Sequence, residues 1–325
     1  MFRLLHLTDL HLCIEPSRSN IASLRSLSRH DLVDVLRTGA DYGLNALFHP
    51  ASYKPAALQA LIRFVNENAD SYDLLAISGD LITTGRGDDL AVGQQFLVGN
   101  AMYAASGYAP GLDSRGTPIV AVPGNHDRYQ DVKATPGSPN FELRFGNKFM
   151  PGYSGRTGWL ALSDASGSEA LLFLYADFSF LSANDPVNKA HRYGGGNADQ
   201  HTRRNLENAT WKLRRRLLEK FKSVQTVWMI HFAPYECGAP HELIDKEQVI
   251  ELASHCNVRT MICGHTHRMR KYDELGVTVF CGGAATSVGG ENYIHELEIS
   301  GPEVNWSHYK WSQYDGEFLP FVVTA

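Results

Sequence analysis

A chain of 325 residues, 43 % apolar and 20 % charged, has the composition of a globular protein able to bury a sizeable core. Its formal net charge of −5 argues against a nucleic-acid-coating surface, though not against a nucleotide-sized substrate. The 5 cysteines, Cys13, Cys237, Cys256, Cys263 and Cys281, show no Cys-x-x-Cys pairing, and no signal pattern or membrane span is legible. The expectation is reduced thiols, no membrane and a cytoplasmic setting.

In chain order, Leu4 to Thr8 is an apolar run that breaks into Asp9-Leu10-His11. The segment from Cys13 to Lys54 has mixed signals: residues 28–36 fit the opening of a helix, and Tyr42 to Tyr53 reads as a loop or lid-like insertion. Phe48 and Tyr53 are candidate pocket walls there. Pro55 to Asn68 places Leu58, Leu61, Ile62 and Val65 at helical spacing, with proline at the start. Leu74 to Ser78 is a strand that breaks into Gly79-Asp80, and a turn-rich loop with Thr83, Thr84 and Gly85 follows. Asp89 to Ala105 is helical by periodicity. Ile119 to Pro123 is again a strand, ending in Gly124-Asn125-His126-Asp127.

Pro136 to Pro151 reads as a loop interrupted by an apolar piece from Phe141 to Phe149. Gly158 to Leu162 and Ala170 to Tyr175 read as a strand pair. Residues 184–205, with three consecutive glycines at 194–196, read as a flexible loop carrying His191, Arg192, His201, Arg203 and Arg204. Trp211 to Phe221 is an amphipathic helix with Trp211, Leu213, Leu217, Leu218 and Phe221 on its apolar face. Val227 to Ile230 breaks into His231. Asp245 to Ser254 is a helix, and Arg259 to Cys263 is a strand breaking into Gly264-His265-Thr266-His267. The late runs Val277 to Cys281, Tyr293 to Ile299 and Val304 to Tyr309 alternate and predict an antiparallel second sheet. Trp311, Tyr314, Phe318 and Phe321 either close the core or pack on a second subunit.

Five strands therefore end in carboxylate, imidazole or amide side chains. Ligands gather outside the carboxyl ends of strands in α/β sheets, so the five exits can face one cleft. The donor set suits Zn, Fe or Mn better than a calcium cage or a thiolate site.

In this order, Asp-x-His, Gly-Asp, Gly-Asn-His-Asp, His and Gly-His-x-His resemble the signature of the calcineurin-like metallophosphoesterases, from Asp9 to His267. Opening, size and spacing look more like the bacterial cyclic-nucleotide phosphodiesterase branch than the Ser/Thr phosphatases. The resemblance implies an α/β fold of two packed mixed β-sheets flanked by helices in four layers. A single catalytic domain over residues 1–325, with insertions near 13–54 and 184–205, is the simplest organisation. The resemblance further implies two divalent or trivalent transition-metal ions. Asp9, His11, Asp80 and His267 would hold one; Asp80, Asn125, His231 and His265 would hold the other, with Asp80 bridging.

The implied reaction is hydrolysis of a small-molecule phosphodiester, a cyclic nucleotide or similar, by in-line attack of a hydroxide bridging the metals. His126 would protonate or stabilise the leaving oxygen, with Asp127 orienting its ring. The other readings are a phosphomonoesterase or protein phosphatase on the same centre, and a non-catalytic scaffold. The Ser/Thr phosphatases carry Glu at the position of Asp127 and an arginine next to it, and Arg128 does follow here. Thr84 stands where relatives often carry an aspartate that is not a ligand. Oligomeric state is not legible.

Overall fold

The first strand, β1 (Phe2–Leu7), is buried at every position but Arg3, as a central strand covered on both faces must be. The structure is a computed structural model that describes residues 1–13, 53–104, 107–128, 138–181, 195–237, 242–288 and 291–322. After β1 come α1 (Pro55–Asn68), β2 (Leu74–Ile77), α2 (Gly87–Leu97), β3 (Met102–Ala104), β4 (Gly107–Ala109) and β5 (Ile119–Ala121). They are followed by α3 (Asn140–Phe149), β6 (Thr157–Ser163), β7 (Glu169–Ala176), β8 (Gly196–Asn197), α4 (Gln200–Leu218) and β9 (Ser223–Met229). The chain continues through β10 (Leu243–Ile244), α5 (Lys246–His255), β11 (Thr260–Cys263), β12 (Arg270–Glu274), β13 (Val277–Cys281), β14 (Tyr293–Ser300), β15 (Glu303–Ser312) and β16 (Glu317–Phe321).

Two six-stranded sheets result, ordered β16-β15-β14-β1-β2-β5 and β12-β13-β11-β9-β7-β6. Both are mixed. In the first, β1, β2 and β5 run parallel while β14 to β16 add on antiparallel. In the second, β7, β9, β11 and β13 run parallel between antiparallel edges β6 and β12. One apolar cluster fills the space between the sheets and beneath α1 to α3, joining Leu4 and Ile294 to Phe173, Met229 and Phe280. A second lies under α4 and α5, around Trp228, Leu206, Ile250 and Met261. This is the expected layered α/β arrangement.

Several local expectations change. Phe141, Phe145 and Phe149 recur every four residues, bury one face and pack ring to ring in sequence at tilted angles, so the segment expected to be a loop forms α3. The Asp199 carboxylate accepts the N–H groups of His201 and Thr202, and this cap starts α4 eleven residues before Trp211, inside the expected flexible loop. Within α4 the buried positions include Thr202, Leu206 and Thr210, while Trp211 and Leu218 are exposed. Helix α2 stops at Leu97, short of Ala105, because Gly99 takes φ +79. The late strands do not make a sheet of their own: β13 pairs parallel with β11, whereas β14 and β15 extend the first sheet through β1.

Tyr53, expected as a pocket wall, is fully buried and bridges to Ser287. Phe48, the helix at 28–36, His30, His49, His191, Arg192, Gly194 and His241 lie outside the described residues. Phe318 closes the core beside Phe64, while Tyr314 stands exposed. All five cysteines are free thiols. Among the described residues no helix is long and apolar enough to cross a membrane.

Candidate metal centre

Beyond their last paired residues, β1 and β2 stay joined. Asp9 N–H donates to the Gly79 carbonyl at 3.1 Å and His11 N–H to the Asp80 carbonyl at 2.9 Å. On the other sheet, Gly264 N–H donates to the His231 carbonyl at 2.9 Å. The sheets meet where His265 N–H donates to Asp9 Oδ2 at 3.0 Å. The strand exits of both sheets thus face one another.

The backbone there is held in an uncommon conformation. Asp9, His11, Asp80, His265 and His267 all have positive φ, between 49° and 72°, a region that costs most L-residues free energy and clusters at functional sites. Gly79 is required twice over: its φ is +99, and a Cβ would stand 2.3 Å from Nδ1 of His231. At Gly124 a Cβ would stand 2.2 Å from Asp80 Oδ1.

Each buried carboxylate ties down one oxygen and turns the other to the centre. Asp9 Oδ2 accepts from Thr8 Oγ1 at 2.7 Å and from His265 N–H, while Oδ1 is buried with no hydrogen bond. That Oδ1 stands 3.3 Å from His267 Nε2 and 4.0 Å from His11 Nε2. Asp80 Oδ1 accepts from His126 N–H at 2.9 Å. Asp80 Oδ2 stands 3.4 Å from His231 Nε2 and 4.0 Å from His11 Nε2. One oxygen of Asp80, rather than two, therefore lies between the half-sites. His231 donates from Nδ1 to the Ser78 carbonyl at 2.7 Å, which turns the Nε2 lone pair toward Asn125 Oδ1, 3.1 Å away.

With the His231 ring neutral, its Nε2, Asn125 Oδ1 and Asp80 Oδ2 converge as three acceptors. Such a set calls for a cation. Burial opposes charge on His231, yet the Asp80 and Asp9 carboxylates outweigh it and push its imidazole up to about 9. Burial likewise opposes ionisation of Asp9 and Asp80. The neighbouring imidazoles, His267 first for Asp9 and His231 first for Asp80, nevertheless hold both well below the carboxylate range. Burial drives His11 down to about 3, keeping it neutral and ready to ligate.

The side chains fall into sets whose ligand atoms lie within 4.8 Å of one another: Asp9, His11 and His267; Asp80, His231 and His265; and His11, Asp80 and His126. A metal at about 2.1 Å from each ligand atom has ligand-to-ligand edges of roughly 3.0–3.4 Å. The spacings of 3.1 Å for His11–His267 and His231–Asn125 and of 3.3 Å for Asp9–His267 match those edges. The donor set and its unpaired Asp9 oxygen fit transition-metal ions.

Asp127 is placed otherwise than expected. Its carboxylate accepts the N–H groups of Gly124 at 2.8 Å, Ile82 at 3.0 Å and Leu81 at 3.4 Å, so it clamps the two ligand loops together. The ring nitrogen Nδ1 of His126 lies instead 3.0 Å from the Thr83 carbonyl. Burial, with Asp80 nearby, pushes Asp127 up to about 7. Arg128 is buried, and its guanidinium is taken up by Glu142, Asp177, the Ser138 carbonyl and Ser179.

A cavity of about 350 Å³ adjoins the centre, lined by His265, Thr266, His267, Tyr235, Arg268 and Arg270 among others. The motif reading passes over Tyr235, Arg268 and Arg270. Their signal was Arg-Met-Arg directly after Gly-His-x-His.

The family model of the calcineurin-like phosphoesterases matches residues 2–269. This chain belongs to that family. Among solved structures it is similar to GAP50, the anchor in the inner membrane complex of Plasmodium. There the identity is 14 % and the TM-score 0.53, covering 97 % of this chain and 86 % of that one. It is also similar to the purple acid phosphatase PPD1 from yellow lupin (Lupinus luteus), with 11 % identity and a TM-score of 0.52. That match covers 98 % of this chain but only 52 % of the lupin chain. At such identities the likeness concerns the fold. No curated protein matches the sequence.

Proposed function

We propose that this phosphoesterase hydrolyses phosphodiesters of small molecules at a dinuclear centre of Mn, Fe or Zn. Asp9, His11, Asp80 and His267 hold one ion, and Asp80, Asn125, His231 and His265 the other. The observation that carries the reading is Asp80 Oδ2, which stands within 4.0 Å of imidazoles from both half-sites. Ions held by these two sets would supply charge neutralisation at the phosphoryl group and would acidify a water.

The chain's own residues do the rest. The clamp of Asp127 on Gly124, Ile82 and Leu81 fixes Asn125 and His126 relative to Asp80. With Nδ1 donating to the Thr83 carbonyl, the imidazolium form of His126 would give its Nε2 proton to the leaving alkoxide as the phosphorus–oxygen bond breaks, leaving the ring neutral, the form that burial favours.

A diester is favoured over a monoester because Arg128, the guanidinium next to the catalytic loop, is spent on Glu142 and Asp177. A dianionic phosphoryl group would lack that bidentate partner. The test is the ratio of turnover to Michaelis constant for bis-p-nitrophenyl phosphate against p-nitrophenyl phosphate on Mn-loaded protein. The diester should win. A monoester advantage of tenfold or more would replace this reading with the phosphatase one.

A further inference from the structure

The cavity beside His265 and His267 has one wall that the metal chemistry leaves unexplained. Arg268 and Arg270 line it and are exposed. Among the described residues neither has a carboxylate at ion-pairing distance, as is also true of Arg63, Arg144 and Arg204, but only Arg268 and Arg270 of these line the cavity. Arg270 is held in place. Its guanidinium carbon lies 4.6 Å from the ring centre of Tyr235 and 5.7 Å from that of Tyr272, and the two rings are 5.5 Å apart. Stacking on aromatic faces fixes the guanidinium plane while leaving its N–H edges free. Tyr235 is itself nearly buried, which fixes the nearer of the two rings. A pre-oriented guanidinium loses little freedom on binding, and its fork matches a carboxylate or phosphate oxygen pair. One opposing charge, Glu236, shares the cavity, and two arginines outweigh it.

We propose that Arg268 and Arg270 form a second anion subsite, which selects phosphate esters whose organic group carries a further carboxylate or phosphate. The reacting phosphoryl group sits at the metal ligands and the second anion reaches across the cavity to the two guanidiniums. This rests on the esterase reading of the adjoining centre and supplies the substrate class that reading leaves open. It also relocates the positive charge, which lies on the wall that recognises the organic group.

The test is binding rather than turnover. Alkylphosphonates with three to six linking carbons, ending in a carboxylate, a second phosphonate or a neutral amide, are titrated calorimetrically into the Mn-loaded full chain. For at least one linker length the anionic ends should bind tenfold or more tighter than the amide, the scale of one charge-assisted pair. The carboxylate and phosphonate arms tell which anion is preferred. In the Arg268→Gln/Arg270→Gln double variant that ratio should fall below threefold. Both side chains are exposed, and far-ultraviolet circular dichroism and metal content check that the variant is folded and loaded. A ratio below tenfold at every length in the unaltered chain overturns the proposal. So does a ratio that the double variant keeps within threefold of the original. Hydrolysis of bis-p-nitrophenyl phosphate by the same preparations is read separately. Preference without hydrolysis would sink the esterase reading and leave the subsite standing, whereas hydrolysis without preference would do the reverse.

Discussion

The Nε2 atoms of His11 and His267 stand 3.1 Å apart although 256 residues separate them. One hangs from the first sheet and the other from the second, and Asp9 Oδ1 lies beside both. Both residues have a positive φ, 52° and 54°, so the backbone bears strain to bring the rings together. Strain of this kind persists only where the surroundings over-determine it.

If Asp80 serves both half-sites as proposed, loss of the two metals is a single event. Asp80→Asn should lower both equivalents together, whereas His11→Ala should deplete chiefly the Asp9 and His267 half-site. Elemental analysis after dialysis measures this. Two full equivalents retained by Asp80→Asn would contradict the bridging role.

His126→Ala should keep both metals and lose about 10²–10⁴ in turnover, the usual scale of acid–base assistance. The loss should shrink for leaving groups of low pKa, which need no proton. A Brønsted plot for a series of substituted phenyl diesters reads it directly. Identical slopes in both proteins would remove the acid role and leave an electrostatic one.

Arg128 supports the catalytic loop from behind. Replacing it by Met leaves Asp177 fully buried and Glu142 mostly buried without their cation. Breaking a buried pair from one side costs about 3–5 kcal/mol, so urea unfolding should show a loss of that size. A cost below about 1 kcal/mol would mean that the network is not holding the loop.

Acid should act partly through His6. It is fully buried beside Ser78, and burial takes its imidazole down to about 4 from an ordinary 6.5. Above 6.5 the ring is neutral in both folded and unfolded chains and contributes nothing. As pH falls from 6.5 toward 4, the unfolded chain binds a proton that the folded one refuses, and stability drops. The size is about 3 kcal/mol. In His6→Gln the fall in unfolding free energy between pH 7 and pH 4, measured on metal-free protein, should be smaller by about that amount. Parallel pH curves for the two proteins would rule it out.

Much of the centre was legible because each ligand motif ends a short apolar run, and a buried strand can release its polar residues only at its end. Membership of sheets was not legible. Val277 to Cys281 and Tyr293 to Ile299 alternate alike, yet one joins β11 and the other joins β1, since long-range pairing leaves no mark on a strand's own pattern. Helix α3 was hidden by the Pro and Gly around it, although Phe141, Phe145 and Phe149 carried its period. Asp127 follows His126 in sequence, but its carboxylate meets the N–H groups of Leu81 and Ile82, partners far away in the chain. Arg270 reads as an edge-strand charge until Tyr235 is brought beneath it.

The most direct measurement is anomalous diffraction from crystals grown with Mn. Two peaks about 3.5–4 Å apart, with Asp80 Oδ2 between them, Asp9, His11 and His267 on one side, and Asn125, His231 and His265 on the other, are the predicted result. A single peak, or two peaks that Asp80 does not join, would contradict it.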